Sequence, residues 1–268
     1  MFSLLISLAL AAVLAADAAA QSQIVNAQLT SRQATRGLDA EIQSAAARGG
    51  PLWIAYRVAT VRGPRHICSS GDRTKVMLEP ATELTLLVRI ENGRIERIQT
   101  ATPDCEVDAG GLPVIWLEGI SLAQSAAWLT AQIRTADASV ERDSRIVNAA
   151  LGALIWHPGD GPIDTIVAVA RDDGRPNVRG QALFWLSQRA GQQAVGAIRN
   201  AVDNDPEIEV KRKAVFALSQ LPKDEGIPRL IEIARNNPNR EVKRLAMFWL
   251  GQAKDPRAIS FFEQLLKP

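Results

Sequence analysis

Three phenylalanines, Phe184, Phe216 and Phe248, stand 32 residues apart, and each is followed four residues on by a glutamine, Gln188, Gln220 or Gln252. Rings beside primary amides make a surface that binds: the rings offer apolar area and the amides offer directed hydrogen bonds. Five residues before each ring stands a cation, Arg179, Lys211 or Lys243. Such a row would steer an acidic partner, or would be spent on linker carboxylates such as Asp205 and Glu209, as ordinary surface ion pairs are. At about 100° per residue, Ala182, Trp185 and Leu186 fall on one arc, which must be buried, and Phe184 falls on the side away from it. Trp185 and Trp249 are therefore expected in the core between repeats. The three rings form either an exposed ladder that takes a partner or a face covered by the protein itself.

Bond-making chemistry finds few residues. The two histidines, His66 and His157, belong to no Ser/His/Asp, Cys/His or zinc spacing, and no phosphate-binding glycine loop is present. Asp104, Glu106 and Asp108 bring three carboxylates together beside Cys105, read here as a charged loop rather than an acid pair. The reading is of a non-enzymatic protein without metal or cofactor. Cys68 and Cys105 are the only cysteines. In an oxidising compartment such a pair is expected to form a disulfide; a metal site built on His66 and Cys68 would lack two further ligands.

That compartment is inferred from the first residues. Met1 to Ala16 are apolar and uncharged, too short to span a membrane with ease, and Ala18-Ala19-Ala20 supplies small residues for cleavage before Gln21. Residues 1–20 are read as a signal peptide, a retained anchor being the alternative, and the protein as periplasmic or secreted. A formal net charge of +2 over 268 residues argues against bulk binding of nucleic acid. The charge is uneven, with 16 Lys and Arg against 10 Asp and Glu from Arg175 to Pro268.

Two kinds of element must position these residues. In residues 21–137 a helix over Leu38, Ile42 and Ala45 or Ala46 ends at Gly49-Gly50-Pro51. Trp53 to Val61 and Leu112 to Leu117 read as strands. Leu84–Ile90 and Arg94–Thr100 flank Asn92-Gly93, a signal for a type I′ hairpin. Ser121 caps a helix with Leu122, Ala126, Leu129 and Ile133 on one stripe. This is a small α+β domain.

Residues 138–268 are built on a repeat. Val178 to Gln188, Val210 to Gln220 and Val242 to Gln252 align at an offset of 32, and Ile146, Ala150, Leu151 and Leu154 continue the columns backwards into a degenerate unit carrying Gly152 in the ring column. The second helices align Ile163, Val195, Ile227 and Ile259, and Ile166, Ile198, Leu230 and Phe262. Asp205-Pro206 and Asn237-Pro238 break the chain between units; Lys223-Asp224 and Lys254-Asp255-Pro256 stand between the two helices of a unit, where Asp is expected to cap and Pro256 to start the last helix.

The pattern Val-Arg/Lys-x-x-Ala-x-x-x-Leu-Gly/Ser, with its Asp-Pro linkers, resembles the HEAT-like repeat of phycobilisome lyases and many bacterial solenoid proteins. That resemblance implies an all-α solenoid of about four helix pairs that holds another macromolecule. The function expected is a scaffold for another protein bearing an acidic or apolar segment, with no stable membrane span after signal cleavage. A lyase-like protein handling a tetrapyrrole and a structural envelope component are the alternatives.

Overall fold

The computed structural model describes residues 23–61, 79–189 and 191–267. The leader, Gln21, His66 and Cys68 lie outside them. The described residues form two compact units, one running to Thr135 and including Trp156–Pro158, the other made of Ala136–Ile155 and the chain from Gly159.

The first unit contains β1 (Ile24–Val25), β2 (Gln28–Gln33), α1 (Leu38–Ala46), β3 (Leu52–Ala59), β4 (Glu83–Glu91), β5 (Arg94–Ala101), β6 (Val107–Asp108), β7 (Pro113–Glu118) and α2 (Leu122–Thr135). Five strands form one sheet in the order β2-β7-β3-β4-β5, and β1 pairs with β6 apart from it. β2, β7 and β3 run parallel, whereas β3, β4 and β5 are antiparallel neighbours. The hairpin turns at Asn92 (φ 51) and Gly93 (φ 71), the two positive φ values that a type I′ turn demands.

One sheet face buries Ala55, Leu87, Val114 and Trp116, together with Cys105. On β3, the neighbouring Tyr56 is fully buried and its hydroxyl meets Ser125 Oγ of α2 at 3.0 Å. Ser125 and Gln124 show why α2 begins and how it is turned. Ser121 Oγ accepts from Gln124 N while Gln124 Oε1 accepts from Ser121 N, a reciprocal cap. The expected stripe is corrected: Leu122 is exposed, and the helix buries Ser125, Trp128, Leu129 and Ile133. The hydrogen bonds on Ser125 turn that side of the helix inward.

The second unit is four helix pairs: α3 (Glu141–Leu154) with α4 (Gly161–Asp172), α5 (Pro176–Ser187) with α6 (Gln192–Asn204), α7 (Ile208–Gln220) with α8 (Lys223–Asn236), and α9 (Arg240–Gln252) with α10 (Pro256–Leu266). It is a HEAT-like all-α solenoid. The repeat columns are its core: Ile146, Val178, Val210 and Val242, then Ala150, Ala182, Ala214 and Ala246, then Leu154, Leu186, Leu218 and Leu250, are all buried. The first helices succeed one another, α3 against α5, α5 against α7 and α7 against α9. Trp185 fills the hollow at Gly152, where a Cβ would stand 2.5 Å from the indole.

The last pair departs from the expected columns. Ile259 is exposed and Phe262 half-buried, while Phe261 takes the core place. One residue fewer separates Gln252 from Lys254-Asp255 than separates Gln220 from Lys223-Asp224, so the second pair stands 31 residues after the first; Asp255 caps α10, whereas the cap expected at Asp224 is corrected, since Asp224 stands inside the first turn of α8. A deletion of one residue turns a helix by about 100°, which moves the buried side chain back by one position.

The linkers repeat as well. Asp173 Oδ1 accepts from Arg175 N, Asp205 Oδ1 from Glu207 N and Asn237 Oδ1 from Asn239 N, at 2.9 to 3.0 Å. Each side chain closes the turn into the next first helix, the usual use of Asp and Asn at such positions.

Candidate functional site

The rings of the ladder sit on α5, α7 and α9. Phe184 and Phe216 stack with centroids 6.2 Å apart and planes 2° from parallel. The tryptophans join them: Trp185 meets Phe184 edge-on at 5.2 Å, and Trp249 lies 5.1 Å from Phe216 and 5.0 Å from Phe248. Five rings thus form one ribbon across three helices. Phe184, Phe216, Trp185 and Trp249 are half-buried. Phe248 is 52% exposed. The tryptophans do pack between repeats, as their place on the wheel requires, but they also complete the surface.

Gln188, Gln220 and Gln252 are exposed beside the ribbon. Two are held in one pose. Ser187 Oγ donates to Phe184 O and receives Gln188 Nε2 at 3.2 Å; Ser219 Oγ donates to Phe216 O and receives Gln220 Nε2 at 3.1 Å. Each Oε1 is left to accept from another molecule. In the third unit Gly251 replaces the serine, and Gln252 lacks this brace.

The expected basic row divides. Arg179 is buried, and its guanidinium grips Asp205 through two bonds of 2.8 and 2.9 Å while a third reaches Asp173 O at 2.8 Å. It belongs to the scaffold. The carboxylate that would serve Lys211 is replaced by Asn237, and Lys211 Nζ donates instead to Asp203 O. Lys243 is half-buried. Other cations flank the rings: Arg212 and Arg244 lie one helical turn before Phe216 and Phe248. Lys213 reaches from α7 over Gly180 of α5, the residue one turn before Phe184; a Cβ there would stand 2.2 Å from Lys213 Cδ. The sequence already shows these three in the basic runs Lys211-Arg212-Lys213 and Lys243-Arg244, which recur at the 32-residue offset; that Lys213 crosses to Gly180 is a fact of packing.

The linker carboxylates are held well below their usual range. At Asp205, burial pushes the pKa upward but is outweighed by the hydrogen bonds from Arg179 and Glu207 N and by the charges of Arg179 and Lys211. Asp173 is lowered in the same way, burial opposing and Arg175 prevailing. At Asp255 the Arg257 hydrogen bond leads, and the value falls to about 2. A group whose folded pKa is depressed stabilises above its unfolded value and loses that contribution as pH falls through the folded one. The urea midpoint should therefore hold down to about pH 4 and fall between there and about pH 2, and Asp255→Asn should flatten the lower part of that fall. A midpoint that drops already near pH 5 would assign acid sensitivity to other groups.

Elsewhere, Ser125 Oγ lies 2.9 Å from His157 Nε2, a nucleophile-to-base distance. Both side chains are buried with Tyr56, and burial pushes the Tyr56 hydroxyl far upward against the opposing Ser125 hydrogen bond. No substrate reaches an Oγ enclosed in this way. Asp108 Oδ1 is engaged by Asn26 Nδ2 and Gly110 N, and shapes its loop. Cys105 is buried, its Sγ 3.2 Å from Thr102 Oγ1, and the described residues contain no free cysteine.

A solenoid of 32-residue helix pairs with a shared buried Val, Ala and Leu column defines a class of repeat scaffold, and residues 163–246 match the family model for HEAT repeats. Among solved structures, the chain is similar to the complex of CpcE and CpcF of phycocyanin lyase from Nostoc sp. PCC7120. The sequences are 16% identical, the likeness covers 54% of this chain and 89% of that one, and the TM-score is 0.40. No curated protein sequence matches the chain. No helix of the described residues is long and apolar enough to cross a membrane.

Proposed function

We propose that the protein is an exported, non-enzymatic scaffold whose solenoid holds another protein against the ribbon of Phe184, Trp185, Phe216, Trp249 and Phe248. The observation that carries this reading is the emergence of a continuous five-ring surface at Phe248, with amides posed beside it. Aromatic side chains that bury large area at small entropic cost are the usual anchors of protein interfaces. The apolar leader supports export, and the two cysteines support a Cys68–Cys105 disulfide in that compartment.

The experiment is dye binding to exposed apolar surface by wild type, Phe248→Ser and Phe216→Ser/Phe248→Ser, each also followed by thermal unfolding. Phe248→Ser should leave the melting temperature within a few degrees, because a half-exposed side chain away from the core changes stability by roughly 0.5 kcal/mol or less. It should lower dye binding, and the double change should abolish both dye binding and retention of partner. A cooperative loss of stability with unchanged dye binding would show that the rings are structural.

A further inference from the structure

We infer that the cavity between α7, α8 and α9 binds a small carboxylate with an apolar body, seated against Trp249 with its charged head at Lys223. The cavity shares Trp249 with the ribbon, yet it would hold its ligand whether or not the rings take a partner.

The space follows from one column of the repeat. Leu221 is buried just beyond the end of α7; 32 residues on, just beyond the end of α9, stands Ala253, three carbons smaller. A cavity of about 260 Å³ opens beside it. Its floor is apolar: Leu218, Leu221, Ile227 and Leu230 are buried, and Trp249 and Ala253 complete the wall. α7 and α8 already touch at Gly226, where even a Cβ would stand 2.4 Å from Leu218 O, and cannot draw closer to fill the space. Size bounds the ligand. An apolar cavity of about 150 Å³ holds benzene, so this one takes roughly ten non-hydrogen atoms.

Charge commits the head group. No carboxylate among the described residues lines the cavity. Its exposed lining residues, which make the mouth, are Gln220, Lys223 and Gln252. Lys223 Nζ lies 3.5 Å from Lys254 O, at the limit of a hydrogen bond, and pairs with no carboxylate among the described residues. Asp255 feels its charge but is already held by Arg257 through two bonds of 2.9 Å. Gln252 has no serine brace, so its Nε2 can turn toward the mouth as a second donor. One cation and one amide over an apolar floor match a single ionised carboxylate, whose oxygens accept from both. An ammonium head would meet Lys223 as a like charge.

The test is titration of the full ¹⁵N-labelled chain with octanoate, a molecule of that size, followed in NMR by the indole N–H signals. Trp249→Phe assigns the Trp249 signal, and octylamine and acetate are the controls. Octanoate should shift the Trp249 signal saturably, while Trp53 and Trp116 of the first unit stay unmoved. Octylamine and acetate should bind at least about tenfold less well, the first for its charge and the second for want of an apolar body. Lys223→Glu should weaken octanoate about tenfold or more. Ala253→Leu, which restores the residue of the preceding unit, should abolish binding and leave the melting temperature unchanged or raised.

Equal binding of octylamine, or indifference to Lys223→Glu, would overturn the assignment of the head group. Equal binding of acetate would overturn the apolar body. Undiminished binding by a folded Ala253→Leu would put the ligand elsewhere and overturn the site. No shift of the Trp249 signal at high octanoate would overturn the inference outright, and would leave the ribbon to be judged by its own dye-binding test.

Discussion

Gly226→Ala should lower the stability of the solenoid by about 3 kcal/mol, the upper range for forcing an added methyl into a packed site. A Cβ at Gly226 would stand 2.4 Å from the backbone oxygen of Leu218 and 3.6 Å from Leu221 Cβ. The near neighbour is main chain at the end of α7 and cannot swing aside as a side chain could. α8 must shift away from α7, and α7 carries Phe216, so ring stacking should loosen along with stability. Gly196→Ala in α6 is the control, because nothing lies within 4 Å of its Cβ position. That change should stabilise by up to about 1 kcal/mol, since alanine is the better helix former. Urea unfolding of the two variants checks the pair. Equal effects would mean that the contact at Leu218 is relieved without cost.

The second large effect is expected at Arg179. Its guanidinium ties α5 to the linkers that follow α4 and α6 through Asp173 O and both Asp205 oxygens, away from water. Arg179→Met strands the Asp205 carboxylate in a buried position, and breaking such a pair costs about 3 to 5 kcal/mol. Arg179→Met/Asp205→Asn removes the charge together with its partner, while the amide oxygen can still close the turn on Glu207 N. The double variant should recover most of the lost stability, a pattern that chemical denaturation of both proteins measures directly. If the double variant is as unstable as the single one, the burden lies in the lost arginine packing rather than in the stranded charge.

The repeat was readable because each unit uses the same positions for the same contacts. Val178, Val210 and Val242 need no partner's identity to be recognised as buried, since their spacing states it. Phe261 was not readable in this way. Ile259 and Phe262 are equally apolar, and only the loss of one residue between Gln252 and Lys254-Asp255 decides which side of α10 faces inward. The basic runs Lys211-Arg212-Lys213 and Lys243-Arg244 were legible, but not the helix that each cation serves. Lys213 lies beside the rings because Gly180, on another helix, leaves room for its stem, and that crossing is a fact of packing. In the first unit, Gln28–Gln33 is polar and shows no alternation of apolar residues. It is a strand because β7 offers it a parallel edge. The hairpin was legible because Asn92-Gly93 specifies its own turn.

The two indoles of the ribbon are unlike in one bond. Trp185 Nε1 donates to Asn148 Oδ1 at 2.9 Å, whereas Trp249 Nε1 is enclosed without an acceptor, because the position matching Asn148 is Arg212, another donor. One chromophore is tethered and the other is not, and the untethered one touches the most exposed ring. A partner laid across the ribbon should therefore shift the emission of both indoles, and that of Trp249, which touches the most exposed ring, more than that of Trp185. The surface carries its own optical gauge of occupancy, readable in single-tryptophan variants without any attached label.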